Sequence, residues 1–359
     1  MRRLSQLALV VLMGSANACG DGAEGPRPDA ELRPRTFRMG FSVVPPLPTS
    51  ASGVATVNAW APRADAAIMH LAVPYAAVLG GVTAAEHVRT VDVPLANLYR
   101  ARGFPLTITI DPGDGLDRAA ESPELVALGR SVTEPAVQAV YRQYVVAVVD
   151  QLRPEYLGLI AESNLIRALS PPAVYAAMVA MANDAASLVR AMGGTLPALY
   201  ASVQADVAWG PAPAPYVGVE ADFRDFPFTE VLAISSYPYF TFADPDQIPL
   251  DYYTRLAGGR TLPVLVVEGG WTSAAVGTVS SSPQTQARYW RRHERLLDSA
   301  KAVRLFQLTY TDLDLAAYQP LPPGSVLPLF ASNGLVTATF AAKPALATYD
   351  SIFRRPLVP

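Results

Sequence analysis

The sequence contains little cysteine, histidine or charge, and each shortage excludes a class of protein. One cysteine and three histidines in 359 residues allow no internal disulfide and show no metal-ligand spacing, so we expect neither a metal nor a cofactor. Charged residues make up 16% of the chain and the net charge is -3, which excludes a basic nucleic-acid-binding surface. The apolar fraction of 51% predicts a folded chain with a large core.

The single cysteine lies where an exported protein would carry it. Arg2 and Arg3 precede the short apolar run Leu7–Met13, and Ala16-Asn17-Ala18 leads directly to Cys19. This layout resembles bacterial lipoprotein signals, in which the cysteine is acylated and anchors the mature chain to a membrane. The alternative is an ordinary signal cleaved after Ala18, which leaves a free thiol.

The resemblance implies a protein of the bacterial cell envelope, anchored through Cys19 to the outer membrane or the cell surface. We predict a signal peptide over residues 1–18, a flexible tether over 19–35 and one domain over 36–359, and we expect a monomer.

Short apolar runs alternate with longer amphipathic segments from residue 37 onward. The runs predict eight strands, at Phe37–Val44, Ala67–Val73, Leu106–Ile110, Leu157–Ala161, Pro197–Val203, Val231–Ser235, Val264–Val267 and Val303–Leu308. Helix start signals lie between them, at Thr133 before Pro135, at Ser170 before Pro171 and at Ser282 before Pro283. Weaker signals predict helices over 93–102 and 343–353. This alternation favours a single (β/α)8 TIM barrel over a two-lobed solute-binding protein.

Glutamates follow two of the predicted strands. Glu268 ends the apolar run Val264–Val267, and Glu162 follows the strand that ends at Ala161. Ligands bind at the carboxyl ends of strands in such barrels, so we expect both side chains at one mouth. A pair of carboxylates about 5 to 5.5 Å apart suits glycoside hydrolysis with retention of configuration. The alternative is that both are solvated loop residues.

Glu162, Glu268 and the run Ser236-Tyr237-Pro238 after the sixth strand resemble clan A glycoside hydrolases, especially the galactanase-like members. The resemblance implies that Glu162 is the acid/base, that Glu268 is the nucleophile and that the Tyr237 phenol hydrogen-bonds the nucleophile. It also implies a polysaccharide or oligosaccharide as substrate. Tyr237 packed as a core aromatic at the barrel rim is the alternative for that residue.

One position departs from the family pattern. Most clan members have an asparagine directly before the acid/base, where it binds the sugar 2-hydroxyl, whereas this chain has Ala161. Asn164, two residues past Glu162, is a candidate source of the amide. The departure leaves open a second class of function, a non-catalytic carbohydrate-binding or scaffold lipoprotein on the same barrel.

Three further residues are candidates for substrate binding. Trp271 and Tyr310 follow the seventh and eighth strands and offer flat faces for sugar stacking, with packing at the rim as the alternative. Asp111 begins an acidic, glycine-broken loop with Asp114 and Asp117. That loop favours Asx turns over a Ca²⁺ site, because it lacks a distal bidentate glutamate.

Overall fold

The computed structural model describes residues 33–210, 215–321 and 324–358. The predicted signal peptide, Cys19 and the predicted tether up to residue 32 lie outside these ranges. Chain contacts group Pro34–Pro359 into one unit, which contains all the elements described below.

Eight strands form one parallel sheet that curls into a (β/α)8 barrel, which confirms the predicted fold. The strands are β1 (Arg38–Phe41), β2 (Ala67–Ala72), β3 (Leu106–Asp111), β4 (Tyr156–Ile160), β5 (Ala198–Gln204), β6 (Leu232–Ser236), β7 (Val264–Gly269) and β8 (Arg304–Gln307). Consecutive strands pair from β2 through β8, and β8 pairs with β1. The amides of Asp65 and Ala66 donate to the Met39 carbonyl at 2.9 and 3.2 Å, which brings β1 beside β2.

Helices cover the outside of the sheet. In the described residues they are α1 (Ser50–Trp60), α2 (Tyr75–Leu79), α3 (Ala84–His87), α4 (Val93–Arg100), α5 (Pro123–Leu128), α6 (Pro135–Leu152), α7 (Ser163–Leu169), α8 (Pro172–Ala191), α9 (Ala205–Trp209), α10 (Glu220–Asp225), α11 (Pro283–Ala300), α12 (Leu327–Phe330) and α13 (Pro344–Phe353). A π-helical turn, Val88–Asp92, joins α3 to α4, and short 3-10 turns lie at Ala61–Arg63, Pro238–Phe240, Pro245–Gln247 and Thr254–Ala257.

Local sequence explains the long helices. Pro135 begins α6, and its buried side chains recur at three- and four-residue steps, as in Val137, Tyr141 and Tyr144. The Ser282 hydroxyl caps α11 by accepting from the Thr285 amide at 3.1 Å, as the sequence predicts. Among the described helices, α8 is long and apolar enough to cross a membrane. Its buried face packs in the core of the barrel domain.

The barrel interior is filled with side chains. A small apolar cluster includes Ile68, Tyr200, Leu265 and Phe306, which come from four different strands. The Tyr200 ring lies against Gly158, where a Cβ atom would overlap it, and its hydroxyl lies 2.7 Å from Thr109 Oγ1. The packed interior leaves the carboxyl edge of the strands as the floor of any binding site.

Candidate active site

A cavity of about 440 Å³ opens at the carboxyl edge of the barrel. Both predicted glutamates line it, although β4 and β7 are not neighbours in the sheet. The other polar side chains that line it from the strand ends and their loops are His70, Asp111, Asp117, Arg118, Gln204 and Thr309. The structure therefore brings Glu162, Glu268 and Asp111 into one site.

Glu268 is held by a phenol. The strand register aligns it with Ser235 of β6, so the chain that follows β6 passes close to its carboxylate. The Tyr237 hydroxyl donates to Glu268 Oε1 at 2.5 Å. Burial raises the pKa of Glu268, and the hydrogen bond from Tyr237 acts in the opposite direction. Burial and the charge of Glu268 raise the pKa of Tyr237 well above its ordinary value, so the phenol stays protonated and remains a donor.

Tyr237 is itself held on two sides. Its backbone amide donates to Asp206 Oδ2 at 2.8 Å, and the Tyr252 hydroxyl donates to Asp206 Oδ1 at 2.5 Å. Burial raises the pKa of Asp206 to about 7. The ring of Phe330 packs against the Tyr237 ring with centroids 4.7 Å apart. Asp206 is a positioning residue that the sequence reasoning missed, since it lies in α9 among unremarkable residues.

Glu162 has an unusual backbone. It lies between β4 and α7 with φ 50° and ψ 48°, the left-handed region that glycine and asparagine adopt most easily. Its amide donates to Ser202 Oγ at 3.0 Å, and its carbonyl accepts from the Leu165 amide at 2.9 Å. Holding a glutamate in this conformation costs about 1 to 3 kcal/mol, and these contacts offset that cost.

Arg118 connects Glu162 to Asp111. Its Nε donates to Glu162 Oε2 at 2.9 Å, and its Nη1 forms an ion pair with Asp111. Arg118 and Glu162 are buried, with 8% and 9% of their side chains exposed, and 15% of the Asp111 side chain is exposed. Burial raises the pKa of Glu162 and the negative charge of Glu268 raises it further, while Arg118 lowers it. The sequence did not indicate Arg118 as a site residue, because Arg118 lies in a loop seven residues past Asp111 and belongs to no motif.

The loop that presents Arg118 is shaped by Asx turns, as predicted. Asp111 Oδ1 accepts from the Gly113 amide at 3.1 Å, and Asp114 Oδ1 accepts from the amides of Leu116 and Asp117. No group of three or more His, Cys, Asp or Glu side chains in the described ranges could hold a metal ion.

His70 lies at the mouth on β2. Its Nδ1 is 3.9 Å from Glu268 Oε2. Loss of solvation lowers the pKa of His70 to about 4, so the ring is neutral at pH 7 and does not form an ion pair with Glu268. It therefore leaves the negative charge of Glu268 intact.

Trp271 and Tyr310, the two predicted sugar-stacking residues, do not line the cavity. Trp271 is fully buried, and its Nε1 donates to Ser281 Oγ at 3.0 Å. Tyr310 is buried edge-on against Phe41, with centroids 5.1 Å apart. Packing thus replaces the predicted sugar-stacking surfaces.

The Asn164 amide faces β5. It donates to the Gln204 carbonyl at 2.9 Å, and its oxygen accepts from the Gln204 amide at 2.8 Å. Ala161, by contrast, lines the cavity with a methyl group. The position before Glu162 therefore offers a substrate no side-chain donor, and Asn164 does not supply one in its place.

Comparisons with known proteins support the fold. No protein-family model matches the chain, and no curated protein matches its sequence. The structure is similar to that of the exo-beta-1,4-mannosidase Op5Man5 from Opitutaceae bacterium strain TAV5, with a TM-score of 0.64, 14% identity, and coverage of 91% of this chain and 62% of that one.

Two other glycosidases are also similar. The GH1 beta-glucosidase from Exiguobacterium antarcticum B7 has a TM-score of 0.62 and 10% identity, with 89% of this chain and 97% of that chain covered. The beta-glucuronidase of Bifidobacterium dentium has a TM-score of 0.54 and 12% identity, with 89% and 46% covered. This chain thus spans less than two thirds of the mannosidase and less than half of the glucuronidase. At these identities the likeness shows a shared barrel fold.

Proposed function

We propose that this protein is a retaining glycoside hydrolase in which Glu162 is the general acid/base and Glu268 is the nucleophile. The observation that carries the proposal is the pair of carboxylates from β4 and β7 in one cavity, each with a different hydrogen-bond donor. Retaining hydrolysis requires two carboxyl groups in different environments.

The first step would use both side chains at once. Glu162 donates a proton to the glycosidic oxygen while a Glu268 carboxylate oxygen attacks the anomeric carbon. The bond from that carbon to the leaving oxygen breaks, and the aglycone departs with the proton. Because Arg118 occupies Glu162 Oε2, we assign the proton to Oε1. Tyr237 keeps its hydrogen bond to Glu268 Oε1 and orients the carboxylate for attack.

The second step would reverse the roles. Glu162, now ionised, takes a proton from a water molecule, and the water oxygen attacks the anomeric carbon from the side the aglycone has left. The bond to Glu268 breaks and the sugar leaves with its original configuration. Arg118 then stabilises the ionised form of Glu162 between the two steps.

A trapping experiment tests the proposal. Incubation with 2-deoxy-2-fluoro glycosides that carry dinitrophenyl leaving groups should add one fluorosugar mass to the protein, and peptide mapping should place it on Glu268. Glu268→Gln is the control that should stay unlabelled. A label on another residue would overturn the assignment, as would NMR evidence for inversion at the anomeric carbon.

A second candidate is a non-catalytic carbohydrate-binding protein. Two observations favour it, namely Ala161 at the position where the family has an asparagine and the guanidinium that pairs with Glu162. Absence of any covalent label, together with measurable sugar binding, would support this candidate over the hydrolase. The polysaccharide or oligosaccharide that the resemblance implies stays a prediction in both cases.

We also propose that the chain is a lipoprotein of the cell envelope, acylated on Cys19 and anchored to a membrane. The support is the order of charged, apolar and small residues before that cysteine. Expression in a bacterial host should give a membrane-bound form whose N-terminal peptide carries the mass of the acyl chains. Cys19→Ser should move the protein to the soluble fraction, and an unmodified, soluble wild-type protein would contradict the proposal.

A further inference from the structure

The lining of the cavity has two chemically different parts. Its floor carries the polar side chains of the strand ends, including Glu162, Glu268 and Gln204. Its walls are apolar and come from α7, α12 and the loops after β3, β6 and β8. The polar groups are therefore gathered in one place, and the described residues around them are apolar apart from Asp117 and Arg118 on the loop after β3.

The apolar wall is open to solvent. Helix α12 reads Leu-Pro-Leu-Phe, yet none of its four residues is buried. Leu169 on α7 is 54% exposed and Leu116 is 43% exposed. Water-exposed aliphatic side chains grouped around a cavity commonly mark a binding surface, because a ligand that covers them gains the free energy of apolar burial.

A sugar unit does not suit this wall. Each pyranose carries several hydroxyl groups, and a hydroxyl removed from water without a hydrogen-bond partner costs about 1 to 3 kcal/mol. Most of the partners lie on the floor and on the loop after β3, so the lining satisfies the hydroxyl groups of one sugar unit. The volume of about 440 Å³ lies in the range of small-molecule pockets of about 300 to 1,000 Å³, which fits one sugar with a compact substituent.

The α7 part of the wall lies on the leaving-group side. The acid must contact the glycosidic oxygen, so the aglycone has to pack near Glu162. Helix α7 starts directly after Glu162, and both Leu165 and Leu169 on it line the cavity. Ala161 extends the same apolar surface to the residue before the acid.

Charge narrows the class of ligand. Asp111, Asp117, Glu162 and Glu268 line the cavity, and Arg118 is the cation among the described lining residues that carries charge at pH 7. That arginine already pairs with two of the carboxylates. An anionic substituent would meet an excess of negative charge, so an uncharged one is favoured.

We infer that the cavity binds glycosides whose aglycone is a compact, uncharged apolar group, an alkyl or aryl substituent, in place of a second sugar. The departure of this group during turnover depends on the proposed hydrolase function. Its binding to the apolar wall depends only on the residues that line the cavity.

Binding measurements on a variant that cannot turn over test the inference. Calorimetric titration of Glu268→Gln with methyl, butyl and hexyl β-glucosides, β-galactosides and β-mannosides should show, for the preferred sugar, a Kd that falls about twofold to fourfold for each added methylene. Adding Leu169→Gln or Leu327→Gln should flatten this dependence. The matched control is Leu128→Gln, since Leu128 is 48% exposed and does not line the cavity.

Turnover by the wild-type protein is measured separately from binding. The hydrolase proposal and the apolar-site proposal are therefore contradicted by different results. Chain-length-dependent binding without hydrolysis or covalent label would support the apolar site and overturn the hydrolase. Hydrolysis together with a Kd that does not change with the length of the alkyl chain would overturn the apolar site and leave the hydrolase proposal standing. Tighter binding of a disaccharide than of the hexyl glycoside of the same sugar, or no binding of any hexyl glycoside, would also overturn it.

Discussion

Glu162 and Glu268 stand at equivalent ends of β4 and β7, but the protein holds them with opposite kinds of donor. A neutral phenol donates to Glu268, and its own support comes from Asp206. A guanidinium donates to Glu162 and is shared with Asp111. A phenol orients a carboxylate without cancelling its charge, which suits a nucleophile. A guanidinium favours the ionised form of Glu162. An acid/base needs that form only between the two steps, and burial opposes the guanidinium by favouring the protonated form.

The largest expected effect comes from removing the proposed nucleophile. Glu268→Ala should lower kcat by about 10⁴- to 10⁶-fold, because no carboxylate remains to form the covalent intermediate. Hydrolysis of aryl glycosides measures the loss, and circular dichroism should show an unchanged fold. A variant with full activity would exclude Glu268 as the nucleophile.

Removal of Glu162, the proposed acid, should lower turnover by an amount that depends on the leaving group of the substrate. Glu162→Gln should lower turnover by about 10²- to 10⁴-fold on glycosides with poor leaving groups, since these need a proton from the acid. Dinitrophenyl glycosides, which leave without a proton, should lose much less in the first step. Equal losses on both kinds of substrate would argue that Glu162 acts only through structure.

Removal of the cation should move one limb of the pH profile. In Arg118→Met, Glu162 loses the interaction that lowers its pKa, so its folded-state pKa rises further. The acid then stays protonated to higher pH, and the basic limb of kcat/KM should move upward, with a loss of about 10²-fold at the optimum from misplacement. Breaking the buried pair should also cost about 3 to 5 kcal/mol in the free energy of unfolding, measured with urea.

The control for Arg118→Met is the double variant with Asp111→Asn. Removing one of the two unpaired carboxyl groups should recover part of the lost stability and little of the activity. An unchanged basic limb in the single variant would show that Arg118 does not set the pKa of Glu162.

Removal of the Tyr237 phenol should move the acid limb of the pH profile and should have a smaller effect on activity than the changes above. In Tyr237→Phe, Glu268 loses a donor that lowers its pKa, so the carboxylate protonates at higher pH and the acid limb of kcat/KM should move upward. A hydrogen bond to a charged group contributes about 1.5 to 3 kcal/mol, so kcat should fall about tenfold to a hundredfold. Tyr310→Phe is the matched control, because that ring is buried away from the cavity. Equal effects from both variants would count against a specific role for Tyr237.

The sequence predicted the barrel and the positions of its carboxylates, because both depend on local patterns. All eight strands lie within three residues of their predicted bounds, since buried parallel strands are apolar on both faces. A residue at or just after the end of such a strand has little freedom of position, which explains why Glu162 and Glu268 line one cavity and why Tyr237 contacts Glu268. Their chemical roles in the reaction stay predictions.

The positions of residues farther from the strand ends could not be predicted from the sequence. Trp271 lies four residues past Val267, and its ring packs in the core against Tyr289 of α11, with centroids 5.3 Å apart. Arg118 pairs with Glu162, which lies 44 residues away along the chain, from a loop that Asx turns shape. Neither outcome follows from spacing, since each depends on contacts between segments distant in sequence.

The left-handed backbone at Glu162 does not make that position free to change. A glycine would relieve about 1 to 3 kcal/mol of backbone strain, but it would also break the buried pair with Arg118, which costs about 3 to 5 kcal/mol. Directed evolution of this scaffold for thermal tolerance alone should therefore retain Glu162, even in rounds that do not screen for turnover.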